Sequence, residues 1–245
     1  MAGEPLARPS FYALASGGWR DYVTLLHPPY TAWHLSFVAI GAALTPAFAL
    51  SRLLPTLAAF FLAVGIGAHA LDELHGRPLQ TRIPDAVLVA LSAASLTLAV
   101  GIGVVGAAVV DPWIGAFVVA GSFIVVAYSL ELFAGRFHTD NWFALSWGSF
   151  PVLTGFFAAA GTITLVALFG ALFAFGLSLA QRQLSTRVRN VRRRVTHVTG
   201  TVTRHDGSVE QITAAELTRV EEVALKALAG ATVALAAALV AMRLA

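Results

Sequence analysis

Residues 86–110 carry no charged side chain, and Asp85 and Asp111 bracket them. A run of that length matches the ~20 apolar residues that a helix needs to cross the hydrocarbon core of a bilayer. Similar runs recur along the chain, and in lipid a helix satisfies its own backbone hydrogen bonds. Of the 245 residues, 58% are hydrophobic and 12% charged, and the mean hydropathy is +0.77. A water-soluble domain of this size carries about twice that share of charge, ~25%. The chain therefore reads as an all-α polytopic membrane protein, a single transmembrane domain over residues 1–245.

Proline, glycine and charge divide the apolar sequence. Residues 1–26 include Tyr12, Trp19, Arg20 and Tyr22, types that settle at the membrane interface. They lack the basic-then-apolar order of a signal peptide, so the first apolar helix is expected to act as the insertion signal. His27-Pro28-Pro29 precedes that helix, which should cover about 30–50. Pro55 suits the first turn of a second helix, which should run over about 55–71. Gly65 and Gly67 there allow a neighbour to approach closely. Gly76-Arg77-Pro78 ends it. A third helix follows over about 85–105, with Asp85 placed to cap its N-terminus. Asp111-Pro112 opens a fourth to about 130, a fifth covers about 142–159, and a sixth follows Gly161-Thr162 to about 179. Residues 181–213 are expected to form a basic loop with an insert outside the membrane. Residues 195–203 alternate apolar and polar, and Asp206-Gly207 is a hairpin turn signal. Thr213 and Glu216 have capping-box spacing ahead of a last helix, apolar over about 223–242 apart from Lys226, which can snorkel. The pattern predicts about seven transmembrane helices and one small β-hairpin.

A pI near 9.8 would point to nucleic acid in a soluble protein. Here the arginines gather between apolar segments, where the positive-inside rule accounts for them. With the N-terminus in the cytoplasm, the inner segments hold Arg8, Arg20, Arg77, Arg82, Arg136 and the run over 182–204, and the outer face holds Arg52 and Arg243. The expected setting is the membrane, with both polar clusters on the cytoplasmic side and no nucleic-acid partner. The absence of cysteine excludes disulfides and thiolate ligands.

Two clusters can carry chemistry. The first, at the end of the second helix, contains His69, Asp72, Glu73, His75 and Arg77. His69, Asp72 and Glu73 stand at i, i+3 and i+4 and share a face of a continuing helix. Such groups at a membrane helix end mark a functional site, although Asp72 could instead simply pair with Arg77. The chemistry indicated is a hard cation held by Asp72 and Glu73, with His69 as a further ligand or a proton carrier. Arg77 would meet an anionic group. The second cluster, Glu131, Arg136, His138 and Asp140, lies between the fourth and fifth helices and is ordinary loop charge taken alone. The topology brings it to the same membrane face, where it can contribute to substrate binding. His27 and His34 read as structural histidines, His34 needing a hydrogen-bond partner inside the membrane. The basic run over 187–194 reads as a topology signal and anionic-lipid contact, or as a diphosphate-capturing surface.

The order of these features resembles the UbiA superfamily of intramembrane prenyltransferases over roughly residues 20–180. His27-Pro28-Pro29 is similar to that family's opening. The cluster followed by Arg77-Pro78-Leu79 resembles its first Asp-rich motif, with Asp72 at the second aspartate, His69 at the first, Gly76 at the third and Ala68 at the asparagine. Glu73 supplies an adjacent carboxylate. Tyr128 to Glu131, Trp147-Gly148 and Gly155 resemble the stretch between the family's fourth and fifth helices. Where the second Asp-rich motif would fall, this chain has the arginine run and hairpin, with Asp206 and Glu210 as the nearby acids. The family usually has about nine helices. The resemblance implies a UbiA-like bundle and prenyl transfer or cyclisation of a prenyl or polyprenyl diphosphate. It further implies catalytic roles for Asp72, Glu73 and Arg77. Mg²⁺, or another divalent metal should His69 be a ligand, would then sit on His69, Asp72 and Glu73. A non-catalytic lipid-binding or membrane-subunit role is the alternative, and a transporter a third.

Overall fold

Each long apolar run folds as a helix in the computed structural model, which describes residues 8–245. In chain order these are α1 (Trp19–Leu25), α2 (Pro28–Ala43), α3 (Leu50–Leu74), α4 (Asp85–Val109), α5 (Ile114–Ser129), α6 (Asp140–Ala160), α7 (Leu165–Arg194) and α8 (Glu216–Leu244). Between α7 and α8 lies an antiparallel hairpin, β1 (Thr201–Thr203) and β2 (Val209–Gln211). Five helices, α3, α4, α6, α7 and α8, are long and apolar enough to cross a membrane, the mark of an integral membrane protein. α2 and α5 have 16 residues each.

The axis of the bundle is α2. Eleven of its residues are buried, with Trp33, Phe37 and Val38 packed against Val152 of α6. Glycine makes this contact possible. A Cβ added at Gly41 would strike the carbonyl of Val152, and one added at Gly155 would strike that of Val38. The two backbones therefore touch, as small residues permit in membrane helix pairs. By contrast α4, α5 and α7 expose Val105, Val109, Val119, Phe169 and Leu172. Apolar surface of that kind on a helix of a membrane bundle faces lipid, where its exposure carries no penalty.

The hairpin forms with Thr201 opposite Gln211 and Thr203 opposite Val209, and Gly207 turns it with φ of 84°. The capping box also forms. The Thr213 amide donates to a Glu216 carboxylate oxygen at 2.7 Å, and the Glu216 amide to Thr213 Oγ1 at 3.3 Å.

Two local expectations are corrected. The first apolar helix stops at Ala43 and α3 starts at Leu50, which places Pro55 inside α3 rather than in its first turn. Asp85 stands in the first turn of α4 as expected, where a carboxylate complements the helix dipole, and also pairs with Arg77. Residues 181–194, expected as the start of a loop, continue α7 as helix. Arginine is a good helix former, and the extension is tied to α8 by Arg187–Glu221 at 2.8 Å and Arg192–Glu222 at 2.6 Å.

Candidate functional site

One end of the bundle is polar, and there α2, α3, α6 and α7 surround a cavity of about 460 Å³. α3 contributes a stripe, Val64, Ala68, Asp72 and His75, with His69 beside it. The segment after α5 adds Glu131 and His138, and α6 begins with Asp140. Tyr30 of α2 also lines the cavity, as do Ser10, Phe11 and Tyr12 of the N-terminal segment. That segment is anchored by the Leu14 amide on Thr24 Oγ1 at 3.0 Å and by Asp21, which accepts from the amides of Gly17 at 2.9 Å and Arg82 at 2.8 Å.

The histidines are oriented by main-chain carbonyls. α3 widens into π-helical turns over Phe61–Ala68, and α6 over Leu145–Ser149, irregularities that concentrate at functional sites. His69 Nδ1 lies 3.2 Å from the Gly65 carbonyl and His34 Nδ1 lies 2.9 Å from that of Trp147. His138 Nδ1 does the same with Tyr128 at 3.0 Å. A carbonyl can only accept, so Nδ1 carries the proton in all three rings. In the neutral ring Nε2 is then left as a hydrogen-bond and proton acceptor. His27, just ahead of α2, stacks on His69 with ring centroids 4.0 Å apart, and its Nε2 is buried without a partner among the described residues. Burial, and next the adjacent His69, push His27 well below the ordinary imidazole range. It is therefore neutral at physiological pH.

The arginines of α7 divide by face. Arg187 and Arg192 point to α8, as above. Arg182, Arg189 and Arg193 line the cavity with Ser185 and Thr186, a spacing that follows one side of a helix, and Arg194 at the end of α7 joins them. Arg182 meets Asp140 at 3.0 Å and packs its guanidinium 5.0 Å from the Phe143 ring. Arg189 donates to Ser185 Oγ at 2.9 Å and to Thr186 Oγ1 at 2.8 Å, and Arg193 to the Pro9 carbonyl at 3.4 Å. Among the described residues neither Arg189 nor Arg193 forms a salt bridge with a carboxylate. Charges withdrawn from water without a counter-charge are costly, so this wall of the cavity favours an anion.

Of the residues expected at the site, His69, Asp72, Glu131, His138 and Asp140 line this one cavity. Glu73 does not. It is 0% exposed, and its oxygens accept from the Leu79 amide at 2.9 Å, the Thr81 amide at 2.8 Å and Thr81 Oγ1 at 2.9 Å. Arg77 is also turned away, onto Asp85 and the Ile83 carbonyl, so the pairing of Asp72 with Arg77 is not formed. Arg136 is not among the lining residues. Sequence reasoning left out Tyr12, Tyr30 and the specific pair Arg189 and Arg193. The four-residue step of that arginine pair was a usable signal once α7 is known to extend that far.

A second cavity, about 790 Å³, lies between α3, α4, α5 and α6 and is almost wholly apolar, with Leu96, Val118, Phe117 and Phe150 among its walls. Val64 and Trp147 line both cavities, so these two buried side chains form the wall between the apolar cleft and the basic chamber.

No family model matches the chain, and no curated protein or solved structure is significantly similar to it. The donors present fit Mg²⁺ poorly. That ion demands near-octahedral oxygen ligands. On α3, both oxygens of Glu73 are already used, which leaves Asp72 beside imidazoles.

Proposed function

We propose that this chain is a membrane-embedded, UbiA-like enzyme that acts on a prenyl or polyprenyl diphosphate by prenyl transfer or cyclisation. What carries the proposal is the adjacency of an apolar cleft and a basic chamber, with Val64 and Trp147 as their shared wall. An isoprenoid diphosphate has the same two parts, an apolar tail and a strongly anionic head. Pockets of this kind recognise a ligand by apolar area and orient it through a few polar groups. The reacting carbon, C1, joins the two parts and falls near the seam. Breaking the C1–O bond leaves the electron pair on the diphosphate, whose growing charge faces the arginines of α7. The allylic cation is then captured by an acceptor or by a double bond of its own chain. The proton released has acceptors in the Nε2 atoms of His34 and His69 and in the carboxylate of Asp72.

In this reading α2 to α8 are the seven crossings, beginning from a cytoplasmic N-terminus. The start of α2 and the ends of α3, α5 and α7 then fall on the cytoplasmic side, with the start of α6, so the chamber opens there. The chain has no cysteine, so single substitutions report alone. In sealed vesicles Ser208→Cys in the hairpin should react with an impermeant maleimide from the cytoplasmic side only, and Thr162→Cys from the opposite side only.

Activity is tested on purified protein in nanodiscs with geranyl, farnesyl and geranylgeranyl diphosphate, by diphosphate release and product mass spectrometry. Turnover is expected, with Asp72→Asn slower by about 100-fold, the lower end of what a positioned acid–base group contributes. Binding without turnover of any substrate would favour the non-catalytic lipid-binding role.

A further inference from the structure

We infer that Arg189 and Arg193 hold the diphosphate head directly, with no divalent cation between carboxylates and phosphate, an assignment that rests on the substrate class proposed above. The first ground is the pairing of the arginines on α7, of which Arg189, Arg193 and the terminal Arg194 line the chamber without a salt bridge among the described residues. Arg182 is matched by Asp140, Arg187 by Glu221 and Arg192 by Glu222. Among the described residues Arg189 and Arg193 donate only to neutral hydroxyl and carbonyl oxygens, and both line the chamber. They stand four residues apart, one turn and ~6 Å along the axis of α7, a separation that lets two guanidinium groups meet two linked phosphates. Guanidinium binds phosphate oxygens in pairs and stays charged at any physiological pH.

The second ground is the acid side of the chamber. A metal bridge needs carboxylates free to ligate. Glu73 spends its oxygens on Leu79 and Thr81, and Asp140 is engaged by Arg182 and Gln183. Asp72 and Glu131 remain, on different elements, and Glu131 lies 3.9 Å from His138.

The two modes of binding assign Asp72 opposite signs. If a cation bridges, Asp72 is a ligand and Asp72→Asn weakens the head. If arginines hold the head directly, Asp72 repels it, and Asp72→Asn tightens binding.

The test measures binding of geranylgeranyl thiodiphosphate, which ionises slowly, to the full chain in phosphatidylcholine nanodiscs, in EDTA and in Mg²⁺. Inorganic diphosphate is the parallel probe. The expected result is binding that EDTA leaves unchanged, tightened by Asp72→Asn and weakened at least ~30-fold by Arg189→Gln or Arg193→Gln, as for loss of one partner of a desolvated charge pair. Arg189→Lys keeps the charge and should retain part of the affinity, and Arg187→Gln, on the other face, should bind as the parent does. Equal binding of inorganic diphosphate would make a free phosphate compound the source of the head; tighter binding of the tailed probe would make it a membrane lipid. Binding that appears only with Mg²⁺ and is lost in Asp72→Asn would overturn direct capture while leaving the proposed substrate standing. No binding of the thiodiphosphate in either condition, by protein whose thermal midpoint is intact, would overturn both.

Discussion

Asp72 and Glu73 are neighbours in the chain and do unrelated things. Asp72 lines the chamber. Glu73, on the next position around α3, faces the chain that leaves the helix and receives two amides and a hydroxyl from Leu79 and Thr81. A buried carboxylate is sustained by such donors. Glu73 thereby fixes the return of the chain toward α4, and Arg77 finishes the same turn by donating to the Ile83 carbonyl at 2.6 Å. Replacing Glu73 by Gln keeps the volume but turns an amide NH₂ toward donors. The expected cost is ~1–3 kcal/mol, the penalty of an unsatisfied buried group. A lowered thermal midpoint should result, with affinity for geranylgeranyl thiodiphosphate retained at temperatures where the variant is folded. A variant as stable as the parent that has lost binding would instead place Glu73 in the chamber.

At the scale of elements, the contact between α2 and α6 decides whether the chamber exists, because His34 reaches the Trp147 carbonyl across it. Gly155→Ala would push a methyl group into the Val38 carbonyl. Backbone cannot yield as a side-chain tip can, so overpacking of ~1–3 kcal/mol is expected. Thermal unfolding in detergent should show the loss, and Gly176→Ala on α7, where a Cβ meets nothing within 4 Å, should show none. Helix periodicity, turn chemistry and capping are local signals, and they made the apolar helices, the hairpin at Asp206-Gly207 and the Thr213–Glu216 cap legible in the sequence. The far end of α7 was not legible, because charged residues look alike in a loop and in a helix that has left the membrane. Only the ion pairs to Glu221 and Glu222 separate the two. Nor could spacing tell which of Asp72 and Glu73 faces inward. His69, Asp72 and Glu73 all lie in regular α-helix, but adjacent positions differ by about 100° around its axis, so Asp72 reaches the chamber while Glu73 turns to the returning chain.

At the scale of the whole molecule, the proposed function rests on two adjacent spaces made from different helices. The chamber depends on α2, α3, α6 and α7. The cleft depends on α4 and α5 closing over α3 and α6, which Gly67 and Gly103 assist by admitting Leu96 and Val118 close to the backbone. No single stretch of sequence contains the wall between the two spaces, since Val64 and Trp147 pack together only after the bundle has folded. The division of labour can be tested by filling one space and leaving the other alone. Ser122 on α5 lines the cleft and is absent from the chamber. Ser122→Phe would occupy room otherwise open to the tail, while the arginines and histidines stay in place. A long tail loses the contacts of the methylenes displaced, each worth ~0.8 kcal/mol, and two of them amount to about a tenfold loss in affinity. Geranylgeranyl thiodiphosphate should therefore bind about tenfold more weakly to Ser122→Phe, whereas the geranyl compound should bind as it does to the parent. An equal loss for both lengths, or none for either, would show that the tail lies outside the cleft.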